Sequence, residues 1–313
     1  MNTWIALILF AAGLILVVKG GDWFVDAASW IARAARIPPF IIGATIVSLA
    51  TTLPEMIVSV MASLEGKTDM AVGNAIGSVT ANTGLIMAIA FVFLTVTAPR
   101  KKYLKQCLIL IATAGVLWAG SLGGTVQPWA IIVLAALFAL FMGTNIVSAK
   151  QEPSEEEKPD CSRREILRHV VLFLVGAAGI AIGSNLLING GSSIATALGV
   201  PERVIAVTMV AIGTSLPELV TTLTAIAKKE ASMSVGNIIG ANVIDLTMIL
   251  PVCSAVSGGR LTIGSQTTAL DLPACLLLCC VAVLPPLFKG KFYRWQGVLM
   301  LALYAGYVVL LVT

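Results

Sequence analysis

Long apolar stretches separated by short polar turns dominate this chain. Ten of them are predicted to cross a bilayer as helices: residues 3–19, 39–64, 69–98, 103–120, 127–148, 167–188, 202–227, 231–256, 268–288 and 292–312. A helix needs roughly 20 apolar residues to traverse about 30 Å of hydrocarbon. The runs are continuous rather than alternating, which predicts a helical bundle and not an outer-membrane barrel. Trp23 to Ala35 is predicted to extend the first helix or to lie along the interface. No basic residue stands in Met1-Asn2-Thr3, so the first run is expected to be a span rather than a cleaved signal.

The pattern also repeats. Residues Gly20 to Asn82 recur without a gap 163 positions later: Gly183 answers Gly20, Pro201 answers Pro38, and Gly236-Asn237 answers Gly73-Asn74. The predicted fold is therefore an all-α polytopic membrane protein of two five-helix repeats, residues 1–148 and 167–313. The polar stretch 149–166 links them, with Glu155-Glu156-Glu157 set between two prolines. Five is odd, so the second repeat must enter the membrane from the opposite side. Such inverted repeats are common among secondary transporters, which bind substrate at the repeat interface.

Composition supports this reading, with 58% hydrophobic and 12% charged residues. That balance excludes an ordinary soluble domain. The basic residues gather in alternate connections: Arg33 and Arg36; Arg100, Lys101, Lys102 and Lys105; Lys150 to Arg168; Lys228 and Lys229; Lys289, Lys291 and Arg294. Lys67, Arg203 and Arg260 fall on the other side. By the positive-inside rule both termini lie outside a cell's plasma membrane and the 149–166 loop is cytoplasmic. The net charge of +4 then reports topology, not a nucleic-acid partner. The six cysteines show no metal-ligand spacing and read as small packing residues. His169 reads as interfacial. Asp22 and its counterpart Asn185 read as interfacial or packing groups, with a part in ion access as the alternative.

The chemistry concentrates where the repeat is clearest. Thr51-Thr52-Leu53-Pro54-Glu55 matches Thr214-Ser215-Leu216-Pro217-Glu218, each inside an apolar span. Proline gives no amide hydrogen to the carbonyl four residues back, here Ala50 and Gly213, so the helix should loosen around 48–54 and 211–217. Freed carbonyls at that depth must be re-satisfied or line a cavity. A charge beside them is by default functional. The next span of each half adds Asn82 and Asp245, on helices whose Gly73/Gly77 and Gly236/Gly240 permit close packing. Three carboxylates, an amide, the Thr51, Thr52, Thr214 and Ser215 hydroxyls and free carbonyls suit a hard cation: Ca²⁺, Mg²⁺, Mn²⁺ or Na⁺. When a divalent ion leaves, monovalent cations or protons can neutralise the same acids, which is the logic of exchange.

At these residues the chain resembles the calcium/cation antiporter superfamily, most closely its prokaryotic sodium/calcium exchangers. The resemblance rests on Gly43-Ala44-Thr45 through Glu55, Gly73 through Ser78, Asn82, Gly213 through Glu218, Gly236 through Gly240, and Asp245. It implies ten helices in two inverted repeats, with the first helix of each half sliding against the core. It implies Ca²⁺ between Glu55 and Glu218, with main-chain oxygens of Thr51 and Thr214. Sodium sites would use the same glutamates with Ser48, Thr52, Ser78, Ala211, Ser215, Asn82 and Asp245. The expected activity is Ca²⁺ export against Na⁺ by a monomer in the lipid bilayer, with H⁺ as the alternative counter-ion and no cofactor. Three positions depart from the family pattern: Ala50 replaces glycine, Thr52 replaces serine, and Ala241 stands where a serine usually follows the glycine. A channel would need a filter loop, and none is evident. An intramembrane protease would need an Asp pair, a Ser-His pair or a zinc motif, which His169 and Asp245 do not supply.

Overall fold

The computed structural model describes residues 3–93, 100–151, 159–199, 215–289 and 292–312. Helix α1 (Thr3–Ala35) takes in Trp23 to Ala35 as a continuation of the first span. The second span is broken, with α2 (Pro39–Thr51) and α3 (Leu53–Leu64) meeting at Thr52 at 45°. Helices α4 (Thr68–Phe93), α5 (Arg100–Gly120) and α6 (Pro128–Gln151) complete the first half. The second half begins with α7 (Arg163–Ala197), longer at both ends than the predicted 167–188. It continues through α8 (Leu216–Ala227), α9 (Ala231–Val256), α10 (Thr267–Pro286) and α11 (Arg294–Val312). Helix α6 runs past residue 148 and α7 starts before 167, so the helices take up both ends of the predicted linker.

Seven of the described helices are long and apolar enough to cross a membrane, or eight if α2 and α3 form one bent span. Leu104–Gly120 of α5 and the whole of α8 are apolar but shorter. The residues that would lengthen α8 toward its predicted start at 202 lie outside the described set.

Helices α4 and α9 form the centre, with 72% and 78% of their apolar windows buried against 22% for α6, α7 and α11. The outer helices instead expose Ile132, Leu167 and Leu310, as a lipid-facing surface requires. Cys107, Cys253, Cys275 and Cys279 are free and buried in the core, as packing residues. At one end of the bundle, strand β1 (Thr125–Val126) pairs antiparallel with β2 (Leu261–Thr262) and joins the two halves. At the other end, His169 lies within α7 and stacks on Trp30 of α1 with ring centroids 4.2 Å apart.

Helices α1 and α7 pack along their length on a seam of glycines. A methyl group on Gly13 would stand 2.8 Å from the Gly183 carbonyl oxygen, and one on Gly20 would stand 2.9 Å from that of Gly176. Further along, a methyl on Gly190 would meet the Ala6 carbonyl oxygen at 2.8 Å. As α1 numbers rise the α7 partners fall, so the helices run antiparallel. The contacts are also reciprocal across the repeat, because Gly176 is the counterpart of Gly13 and Gly183 that of Gly20. Association in lipid gains little from apolar burial and depends on such close backbone packing. Gly20→Leu is expected to destabilise the protein by about 1–3 kcal/mol through overpacking, read as earlier thermal unfolding in detergent. Gly143→Leu, where nothing stands within 4 Å of the added carbon, is the neutral control.

Candidate functional site

Pro54 occupies the second position of α3 and Pro217 that of α8, where proline is tolerated because its missing amide hydrogen has no partner to lose. Glu55 and Glu218 thereby fall in the first turn of their helices. The helix dipole favours negative charge at that end. Local sequence thus breaks the span and sets each carboxylate at a fresh helix N-terminus. In the first half the loosening extends upstream, where Gly43–Val47 forms a π-helical turn. In the second half the predicted loosening at 211–214 lies outside the described residues, as do Thr214 and Ala211.

The central helices supply the opposing wall. Asn74, Ser78 and Asn82 recur every four residues on α4, and Asn237, Ala241 and Asp245 do the same on α9. Residues four apart share a helix face, so each set forms one stripe. Asn82 and Asp245 each open a π-helical turn, Asn82–Met87 and Asp245–Ile249. Such widened turns are frequent at functional sites.

All nine described candidates are buried: Ser48, Thr51, Thr52, Glu55, Ser78, Asn82, Ser215, Glu218 and Asp245. Glu218 and Asp245 lie close enough to Glu55 for like-charge repulsion. Both carboxylate oxygens of Glu55 and Glu218 lack a hydrogen-bond partner among the described residues. So do Oδ1 of Asp245, both side-chain polar atoms of Asn82 and the hydroxyls of Thr52 and Ser215. Buried polar atoms are almost always paired, and an orphaned carboxylate is the most costly kind. No three His, Cys, Asp or Glu side chains among the described residues group tightly enough to hold a metal between them. The polar atoms gathered around these carboxylates are hydroxyl and amide groups, a donor set of the kind that suits hard ions.

Two residues of the site were not singled out from the sequence. Asn74 donates to the Ser59 hydroxyl at 2.9 Å and to the Glu55 carbonyl at 3.3 Å, tying α4 to the first turn of α3. Asn237 donates to the Thr221 hydroxyl at 2.9 Å and lies 3.4 Å from the Thr51 hydroxyl, tying α9 to α8 and α2. Their signal was their equivalence, each following a repeated glycine. Asn242 adds a bond to Thr83 at 2.8 Å, and neither residue is polar in the other half, where Val79 and Leu246 stand.

Fold and buried residues together define a helical membrane protein with a cluster of acidic and other polar side chains at its centre. A family model described as "Sodium/calcium exchanger protein" matches residues 5–147 and 168–313, and the chain belongs to that family. The membrane protein MJ0091 of Methanocaldococcus jannaschii is 34% identical over 302 residues, covering 94% of each chain. The sodium/calcium exchanger MaX1 of Methanosarcina acetivorans is 24% identical over 344 residues, covering 97% of each. Among solved structures, the sodium-calcium exchanger NCX_Mj soaked with 10 mM Na⁺ and zero Ca²⁺ matches with a TM-score of 0.82 and 30% identity. That match covers 98% of this chain and 99% of the other. Asn237→Ala is expected to weaken divalent-cation binding roughly tenfold, as losses of supporting hydrogen bonds around metal ligands do. Equilibrium dialysis with Ca²⁺ in detergent measures it.

Proposed function

We propose that this chain is a secondary active antiporter that exports Ca²⁺ in exchange for Na⁺ across the plasma membrane by alternating access. The observation that carries the reading is the pair of equivalent glutamates, Glu55 and Glu218, buried one residue past a proline with carboxylate oxygens that lack a hydrogen bond among the described residues. Two facing carboxylates repel each other unless a cation of matching charge lies between them.

In this reading Ca²⁺ lies between Glu55 and Glu218 with main-chain oxygens of Thr51 and Thr214. Sodium ions use the same acids with Ser48, Thr52, Ser78, Ala211, Ser215, Asn82 and Asp245. The chain acts as a monomer built of ten spans in two inverted repeats, residues 1–148 and 167–313, joined by a cytoplasmic linker at 149–166. The two separate stretches matched by the family model and the antiparallel, reciprocal seam of α1 on α7 support the inverted arrangement. The basic residues of alternate connections support termini on the outside. Membership of the sodium/calcium exchanger family and the names of MaX1 and NCX_Mj support sodium as counter-ion. Exchange against H⁺ is the competing outcome of the test.

Ca²⁺ movement into proteoliposomes with Na⁺, H⁺ or K⁺ as the only opposing gradient decides the coupling. Uphill Ca²⁺ movement driven by Na⁺ alone is expected; movement driven only by H⁺ overturns the sodium assignment. Glu55→Gln and Glu218→Gln are each expected to reduce Ca²⁺ exchange at least a hundredfold with the protein still inserted. Normal exchange in either variant would remove the site assignment. Ala241 is fully buried one helical turn before Asp245. Ala241→Ser restores a hydroxyl there, and is expected to shift the midpoint of sodium activation severalfold with a smaller change in Ca²⁺ affinity. Sodium activation curves of variant and parent, measured side by side, check this.

A further inference from the structure

The seam between α1 and the core is charged at one end of the bundle. Lys228, at the C-terminal end of α8, lies 2.7 Å from Asp26 and 3.6 Å from Asp22 of α1. Arg33 of the same helix lies 3.8 Å from Glu230, which caps α9. Three ion pairs thus tie the last four turns of α1 to the turn between α8 and α9. The pairs stand over a crevice between α1 and the core, lined by Phe24, Val25, Thr221, Ala225, Met233 and Asn237 and too tight for free water. From its inner end Asn237 donates to the Thr221 hydroxyl, which donates in turn to the Pro217 and Glu218 carbonyls in the first turn of α8.

The counterpart positions on the opposite face break this pattern one by one. Asp22 becomes Asn185, Asp26 becomes Asn189 and Arg33 becomes Thr196. Lys228 becomes Glu65 and Glu230 becomes Lys67, so the signs are exchanged. Asn185 donates back to Ala181 within its own helix, and Glu65 pairs with Lys67 at 2.7 Å within its own turn. The repeat keeps the glycines and the site but places inter-element ion pairs at one end alone among the described residues.

We infer that Asp22, Asp26, Lys228, Arg33 and Glu230 form an electrostatic latch that holds α1 against the core on the basic face, biasing alternating access toward closure there. This rests on the antiporter reading for its transport consequence, but not for its geometry. Part-exposed pairs are individually weak, yet three acting on one two-state element shift its equilibrium about fivefold or more. The apparent affinity at a face scales with the fraction of molecules open to it. Breaking the latch therefore tightens apparent Ca²⁺ affinity on the basic face and changes the opposite face less.

Two readouts test this. Spin labels at the exposed positions Ala35 and Ala227, in a chain whose six native cysteines are replaced, report the α1-to-α8 distance in detergent without any transport. The parent is expected to show one short distance. Lys228→Gln, or Asp22→Asn with Asp26→Asn, should add a longer population, and Lys228→Asp with Asp26→Lys should remove it again. High choline chloride should reproduce the longer population in the parent and add nothing in the variants, because salt screens exposed pairs. In proteoliposomes the Ca²⁺ KM on the basic face should fall about fivefold in Lys228→Gln. Unchanged distances in every variant would overturn the latch even if exchange is normal. Absent exchange in the parent with shifted distances in the variants would overturn the transport reading and leave the latch standing. Shifted distances with an unchanged KM would overturn the bias on access.

Discussion

Three carboxylates buried together among the central helices, five of their six oxygens without a hydrogen bond among the described residues, are the constraint around which this molecule is organised. Burying Glu55, Glu218 and Asp245 together is costly, and each neighbouring feature reduces the cost in a specific way. The proline breaks put the two glutamates in the first turn of a helix, where the dipole favours negative charge. The π-helical turns that begin at Asn82 and Asp245 widen the central helices at the same place. Asn74 and Asn237 hold the broken segments against those helices. What remains without a hydrogen bond among the described residues is a set of mostly oxygen atoms, and in the proposed function a transported cation is the partner that satisfies it.

In lipid a bundle cannot bind its elements by apolar burial alone, since lipid competes equally well for apolar surface. Here the packing is divided between two devices. Around α4 and α9 it is tight, apolar and crossed by amide hydrogen bonds. Along α1 and α7 it is a glycine seam with backbones in direct contact, flanked by the Phe24–Phe173 and Trp30–His169 stacks. In the latch we infer, the ion pairs at its basic end hold the seam locally. Weak exposed pairs suit that purpose, because a strong buried pair would trap one state.

Duplication also separates two kinds of position. Those kept alike in both halves, such as Gly73 with Gly236 or Glu55 with Glu218, carry geometry and charge that both sides of the site need. Those that differ, such as Ser78 with Ala241 or Asp26 with Asn189, are where the two faces of the membrane can be told apart. The second kind is visible in the sequence, but its meaning depends on what each side chain touches.

The sequence alone determined the membrane class, the break at Thr52 and which acids are candidates for the site, because the membrane leaves so few reasons to keep a carboxylate or a proline in an apolar run. Periodicity located the helices but not all their ends. Helix α1 continues to Ala35, one of the two courses predicted for Trp23 to Ala35. Helix α7, however, runs from Arg163 to Ala197 rather than over the predicted 167–188, since an amphipathic extension beyond the hydrocarbon looks like a loop in an apolar scan. Tertiary structure decided which polar residues support the site. Asn74 and Asn237 look like ordinary helix residues until the fold brings Ser59, Thr221 and Thr51 within hydrogen-bond reach. It likewise decided that Asp22, read as interfacial, pairs with a lysine more than two hundred residues away. Local patterning reports the solvent that each segment will meet, whereas partnership across the bundle exists only once the chain has folded.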